Sequence, residues 1–209
     1  MIAISTACKE ALISIDVGGK QNFKSLDSNC KHSENMLFTI DKMLDEMGAS
    51  IQENDTFAVV VGPGSFTGLR IGISLLKGLC AGNVEKNIVP ITTFDLMAYS
   101  YIKNNAPEEN FTCILNGLSG YYFICEYSKD GQKLSQEMMI TKDKLNHLYT
   151  LVGLKEENLG SVQLAISAEE LLQLANKLML EQKLCSADEL CPMYLRKSQA
   201  EAELERKGK

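Results

Sequence analysis

The stretch from Gly62 to Gly82, GPGSFTGLRIGISLLKGLCAG, constrains this chain more than any other. The apolar run Phe57 to Val61 leads straight into it, and glycines recur at Gly68, Gly72, Gly78 and Gly82. Strand, tight turn and helix is the reading that accommodates all of it. Leu69, Ile71, Ile73, Leu75, Leu76, Leu79 and Cys80 lie almost all round the helix, which predicts burial on more than one side. A glycine inside a helix costs roughly 1 kcal/mol relative to alanine. Several in one helix imply that another backbone approaches closely. The loop Gly62, Pro63, Gly64, Ser65, Phe66, Thr67 has a second reading, because free N–H groups at a helix start cradle anions. Its spacing argues against that. Gly62, Gly64 and Gly68 do not follow GxGxxG, and no Lys-Ser or Lys-Thr pair follows as in a P-loop. Ser65 and Thr67 are residue types that helix starts prefer as caps. Arg70, a cation near the helix start, opposes the dipole and needs a carboxylate or a partner group to meet.

The flanking segments set the layers. Ile2 to Thr6, Ala11 to Asp16 and Gln21 to Leu26 read as three short antiparallel strands, with Gly18-Gly19 as a hairpin turn. Ser33 reads as a cap, with Glu34 beside it, for a helix that ends at Gly48. Its apolar stripe is Met36, Leu37, Ile40, Met43, Leu44 and Met47. After the glycine helix, Ile88 to Thr92 completes a βαβ crossover, and Thr93 is placed to cap a third helix, Phe94 to Lys103. The polar stretch Asn104 to Asn110 marks a lobe boundary. A second meander follows (Phe111 to Leu115, Tyr121 to Tyr127, Leu134 to Ile140), then a short helix from Lys142 to Leu148 and a strand from Val162 to Ile166. Ser167 and Glu170 form a capping box for a last helix. The layout is that of a duplicated α/β lobe: 1–106, a smaller 107–198, and a charged tail, 199–209.

Composition excludes several functions. A net charge of −6 argues against the chain alone gripping nucleic acid. Seven cysteines without a CxxC pair read as free thiols in a reducing cytoplasm. No apolar run reaches the ~18 residues of a membrane span. The two histidines, His32 and His147, are far apart, so a His-rich metal site is impossible and no metal or cofactor is expected. His32 could serve as the base for a Ser65 or Thr67 nucleophile, and capping explains those hydroxyls better. Tyr121, Tyr122 and Phe123 could stack on bases, but in a strand they read as core and cross-strand packing.

The motif GPGSFTGLRIG followed by KGL resembles the signature of the bacterial TsaB (YeaZ) family. So does His32-Ser33-Glu34 at a helix start, and Pro192-Met193-Tyr194-Leu195-Arg196 followed by Gln199-Ala200-Glu201 resembles that family's end. The resemblance implies an actin-like, ribonuclease-H-like α/β fold of two lobes and a cytoplasmic, non-catalytic subunit. It implies pairing with the larger TsaD, joined by the small ATPase TsaE, in threonylcarbamoyl modification of the adenosine beside the anticodon of tRNA. tRNA is then met only through the complex. The family also forms homodimers, and both kinds of dimer use the first two helices, here Ser33 to Met47 and Thr67 to Ala81. The interface residues implied are Met36, Leu37, Ile40, Met43 and Leu44 on the first helix and Gly68, Leu69, Arg70, Gly72, Ile73 and Leu76 on the second.

Departures from active members of the wider fold support a scaffold. Ser5 stands where an acid usually holds metal, and Asn116-Gly117-Leu118-Ser119-Gly120 replaces Asp-Ala-Arg-x-Gly-Glu. The paired histidines of TsaD-type proteins are missing, and the second lobe is trimmed. The alternatives are an ATP-binding enzyme of the actin-like fold and a peptidase-like homologue.

Overall fold

The computed structural model describes residues 1–27, 32–81, 87–147 and 149–195, without the side chains of 32–34 and 146–147. The expected Ser33 cap, the Glu34 and His32 side chains, Gly82, and the chain from Arg196 through the tail at Gln199 lie outside this description. The first three strands form the expected meander: β1 (Ile2–Ser5), β2 (Ala11–Val17) and β3 (Lys20–Leu26), each antiparallel to the next. Val17 pairs with Lys20, so Gly18 and Gly19 make a two-residue turn with φ of +59° and +85°. Such a turn requires positive φ at both positions. Helix α1 (His32–Met47) follows, then β4 (Thr56–Gly62), α2 (Phe66–Cys80) and β5 (Asn87–Thr92). β4 is parallel to both β1 and β5, giving the sheet order β3-β2-β1-β4-β5.

The second half repeats this plan after α3 (Thr93–Asn105). Its strands are β6 (Phe111–Asn116), β7 (Tyr121–Tyr127), β8 (Met138–Thr141), β9 (Thr150–Leu154) and β10 (Val162–Leu164). Their order, β8-β7-β6-β9-β10, matches the first sheet strand for strand and in direction. This is the actin-like, ribonuclease-H-like plan. The trimming falls on the helices rather than the sheet. Where the first repeat has α1 and α2, the second has 3₁₀ turns at Lys142–His147 and Lys155–Glu157. Three expectations change. β9 was not anticipated, because Gly153 interrupts a short apolar run. The third strand shortens from Leu134–Ile140 to β8. The α3 cap is Thr92, whose hydroxyl accepts the Asp95 amide, while the Thr93 hydroxyl donates to the Pro63 carbonyl at 2.6 Å.

Three apolar cores hold the layers. α1 and α2 cover one face of the first sheet, where Met36, Ile40, Met43, Leu44, Ile73 and Leu76 meet Ile4, Ile13, Phe57 and Val59. The other face, with Ala3, Ala58 and Val60, is covered by Leu171, Leu174 and Ala175 of α4 (Ala168–Leu180). α3 covers the second sheet, its Phe94, Met97 and Tyr101 meeting Phe111, Cys113 and Tyr127. Each repeat's last helix therefore packs on the other repeat's sheet. Ser14 of β2 donates its hydroxyl to the Ala168 carbonyl at the start of α4, and Asn104 of α3 donates to Glu170 of α4 at 2.7 Å.

The glycines before and within α2 have a partner, and it is Thr6 and Ala7, just after β1, rather than another helix. A Cβ at Gly64 would strike the Ala7 carbonyl, one at Gly68 the Thr6 carbonyl, and one at Gly72 the Thr6 hydroxyl. Gly78 alone among the described helical glycines has open space around it. Gly68→Ala should therefore cost roughly 3 kcal/mol, since backbone cannot retreat as a flexible side chain can. Gly78→Ala should instead stabilise the chain by up to about 1 kcal/mol through helix propensity. Urea denaturation of the two variants checks the pair, and equal shifts would contradict the packing.

Candidate functional site

Two surfaces qualify as sites: the outer side of α1 and α2, and a cleft between the two sheets. On α1 the inward stripe is fully used. Met36, Ile40, Met43 and Leu44, expected at an interface, are at most 1% exposed and pack in the chain's own core. Leu37 and Phe38 remain, 48% and 68% exposed. Phe38 lies two residues from Met36, on the opposite side of the helix. A large aromatic among Asp41, Lys42 and Asp45 was visible in the sequence as a break in an otherwise polar face. On α2, Gly68, Leu69, Gly72, Ile73 and Leu76 are likewise interior. The outer side is drawn by Thr67, Arg70, Ser74 and Gly78.

The glycine loop is a joint and has no anion cradle. The Ser65 amide donates to the Ala7 carbonyl at 2.7 Å, and the Ser65 hydroxyl accepts from Gly68 N–H at 3.2 Å. Ser65 is thus the expected cap, whereas Thr67 sits inside the first turn. The Thr6 hydroxyl donates to the Gly68 carbonyl at 2.7 Å. Pro63 is buried, and Gly62 is closed over by the Met193 carbonyl.

Among the described residues, Arg70 meets a hydroxyl and two aromatic rings. Its Nε–H donates to the Tyr194 hydroxyl at 2.9 Å, and its guanidinium lies 4.0 Å from the centroid of the Phe66 ring. Phe66 and Tyr194 stack at 4.4 Å. Arg70 is the fifth residue of α2, a position where the dipole's opposition has faded. An exposed cation–π contact contributes about 0.5–1 kcal/mol. The segment carrying Tyr194 is anchored by Cys185, which exchanges two backbone hydrogen bonds with Ile88 on the β5 edge, and by Met193 N–H on the Val61 carbonyl at 2.7 Å. This clasp was hidden in the sequence, because only folding brings Tyr194 to a helix more than a hundred residues earlier.

The cleft has a volume of about 480 Å³. Ser5 at the end of β1, Cys8 and Glu10 in the following loop, and Glu156 after β9 bring its polar groups together over Leu12 and Leu96. The Lys9 amide donates to Glu156 at 2.8 Å, and the Ser25 hydroxyl donates to Glu10 at 2.9 Å. At the end of β6, the Asn116 amide donates to Glu157 at 2.8 Å. Two carboxylates, Glu10 and Glu156, and one cation, Lys155, thus line the cleft. Burial pushes the Cys8 thiol well up, and Glu156 and Glu157 push it further, so it stays protonated and unreactive. Tyr122 and Phe123 pair across strands with Ile140 and Met139, and Phe123 joins the core, while Tyr121 is exposed. Among the described residues, no group of three or more His, Cys, Asp or Glu side chains is placed to hold a metal ion.

Burial raises the Glu157 carboxyl; the Asn116 amide pulls it back, and Glu156 adds to the rise. A carboxyl raised on folding holds its proton more tightly in the native state, so it costs stability as pH climbs through its folded value. Glu157→Gln should therefore be more stable than the parent at pH 7. The gain should vanish below the ordinary glutamate value of about 4.3. Denaturant titration at pH 7 and at pH 3.5 reads the difference, and a gain that persists in acid would refute the assignment.

A protein-family model described as TsaD, tRNA N6-adenosine threonylcarbamoyltransferase, matches residues 27–167. The tRNA threonylcarbamoyladenosine biosynthesis protein TsaB of Escherichia coli is 26% identical over 224 aligned residues, covering 96% of each chain. Its counterpart from Haemophilus influenzae is 24% identical over 220, covering 94% of this chain and 93% of the relative. The solved structure of YeaZ from Pseudomonas aeruginosa shares the fold, with a TM-score of 0.77 at 19% identity, over 93% of this chain and 98% of that one. No helix among the described residues is long and apolar enough to cross a membrane. With the family model spanning both sheets and the TsaB alignments nearly the whole length, the chain belongs to the TsaD-type threonylcarbamoyltransferase family and, within it, to the TsaB (YeaZ) group.

Proposed function

We propose that this chain is a non-catalytic subunit that docks on a TsaD-type threonylcarbamoyltransferase. In that role it serves the modification of the adenosine beside the anticodon in tRNA. The observation that carries the reading is Phe38. Its ring stands in solvent on the outer side of a helix whose inner stripe is already filled, and Leu37 flanks it. Exposed apolar groups on one helix face favour a protein contact. α2 lies beside α1 on the same face of the sheet, and the open space at Gly78 lets another backbone come close. The same face suits a homodimer, which would then compete with TsaD. TsaE completes the assembly, in the cytoplasm. With a net charge of −6, the chain meets tRNA through its partners.

The non-catalytic part of the reading rests on the cleft. Ser5 at the end of β1 lines it in place of an acid, Glu10, Lys155 and Glu156 are its charged groups, and burial pushes the Cys8 thiol up. Two carboxylates against one lysine leave the cleft net negative, which disfavours the alternative of an ATP-binding enzyme because a triphosphate would be repelled.

The test is co-purification with the cognate TsaD. Leu37→Asp combined with Phe38→Asp should leave stability within about 0.5 kcal/mol, as exposed positions do. It should weaken the complex by about 2 kcal/mol or more, the loss expected when a central anchor is removed. Ser5→Ala with Cys8→Ala should leave threonylcarbamoyl transfer by the reconstituted system unchanged. Parent chain that ignores TsaD, or a double Asp variant that binds normally, would overturn the docking assignment. Loss of transfer in the cleft variant, with the complex intact, would overturn the non-catalytic one.

A further inference from the structure

A second, larger cavity lies away from both surfaces already described. It has a volume of about 640 Å³ and is bounded by α3, α4 and the turn between β7 and β8. That volume falls in the range of small-molecule sites. Its floor is apolar: Ala98 and Ile102 from α3, Leu174 and Leu178 from α4. Its rim carries four lysines, Lys103, Lys133, Lys177 and Lys183.

The four ammonium groups differ in what they already hold. Lys133 is spoken for by Asp95 at 3.2 Å and Glu137 at 2.6 Å, and Lys183 by Glu181 at 2.8 Å. Lys103 donates to the neutral amide oxygen of Gln173 at 2.7 Å, and Lys177 forms no ion pair among the described residues. On the carboxylate side, Asp95 and Glu181 are engaged by those lysines, which leaves Asp130 at the hairpin tip. Lys103, with only a neutral partner, and Lys177, which feels Glu181 without pairing with it directly, thus stand over an apolar floor against one further carboxylate, in a chain that is acidic overall.

The surrounding wall is fixed before any ligand arrives. Gln173 receives the Tyr99 hydroxyl at 3.2 Å as well as Lys103, and it donates to Glu169 at 2.9 Å. Asp95 caps α3 with Thr92 and accepts the Tyr127 hydroxyl at 2.7 Å. Side chains held in this way lose little freedom on binding, which favours affinity.

We propose that this cavity binds a small amphipathic organic anion. A flat apolar body would sit on the α3–α4 floor, and its carboxylate, sulfonate or phosphate would be held by Lys103 and Lys177. The site is independent of the docking face, so either can fail without the other.

Anilinonaphthalene sulfonate is the probe, titrated by fluorescence into the full chain beside its neutral parent, phenylnaphthylamine. The sulfonate should bind with one-to-one stoichiometry and about tenfold more tightly than the neutral amine, as expected for charge-assisted hydrogen bonds. Lys103→Ala with Lys177→Ala should weaken it about tenfold, and added salt should do the same in part. Ile102→Trp, which fills the floor, should abolish binding, while Leu37→Ser with Phe38→Ser should leave it unchanged. Thermal melts establish that each variant is folded. If Ile102→Trp is not, the lysine pair, both exposed, decides the matter. Equal binding of the two probes, an unaffected lysine variant, or loss of binding in the Phe38 variant would each overturn the proposal.

Discussion

Backbone meets backbone where the end of β1 touches the start of α2, and the rest of the fold is arranged around that contact. Ala7 takes the amide of Ser65, Thr6 gives its hydroxyl to the carbonyl of Gly68, and Gly64 and Gly68 have no Cβ to keep the two apart. Because the helix is held there at its first turn, its direction over the sheet is set. Leu69 then points to one side of the sheet and Ile73 and Leu76 to the other core, beside α1. The same joint anchors the C-terminal segment, with Met193 on Val61 and Tyr194 stacked on Phe66.

A second constraint joins the halves. Exchange of the last helices places α3 against the second sheet and α4 against the first, so neither sheet is covered by its own repeat alone. α3 is consequently the wall common to both cavities. Thr93 and Leu96 face the cleft, and Ala98 and Ile102 face the lysine-rimmed site. A helix with apolar residues on several sides is what such a position demands. That is why Phe94, Leu96, Met97 and Ala98 can all be buried in one short stretch.

The two repeats have diverged in what they keep. The second retains all five strands and reduces the crossover helices to 3₁₀ turns, while the first retains both helices at full length. Of the helices kept, α1 turns an aromatic, Phe38, to solvent, and β1 ends at the cleft on a serine, Ser5.

Local chemistry was legible in the residues alone. Alternating apolar residues and Gly18-Gly19 specify the first meander, Ser65 and Ser167 with Glu170 specify helix starts, and the glycine spacing excludes a phosphate loop. Each depends on neighbours within a few positions, which is the range over which backbone preference acts. The repeat of the strand order required the fold, since Gly153 hides β9 and pairing with β6 is what makes it a strand. Which face of α1 is free could not be separated from its stripe until the sheet beneath it was in place, and this turned Met36 and Ile40 inward and left Phe38 outside. Arg70 shows the difference most plainly. Its need for a partner follows from its charge near a helix start, but the partner, Tyr194, lies 124 residues away. Contacts at that separation are decided by packing, because nothing in the local sequence encodes which distant surface will arrive.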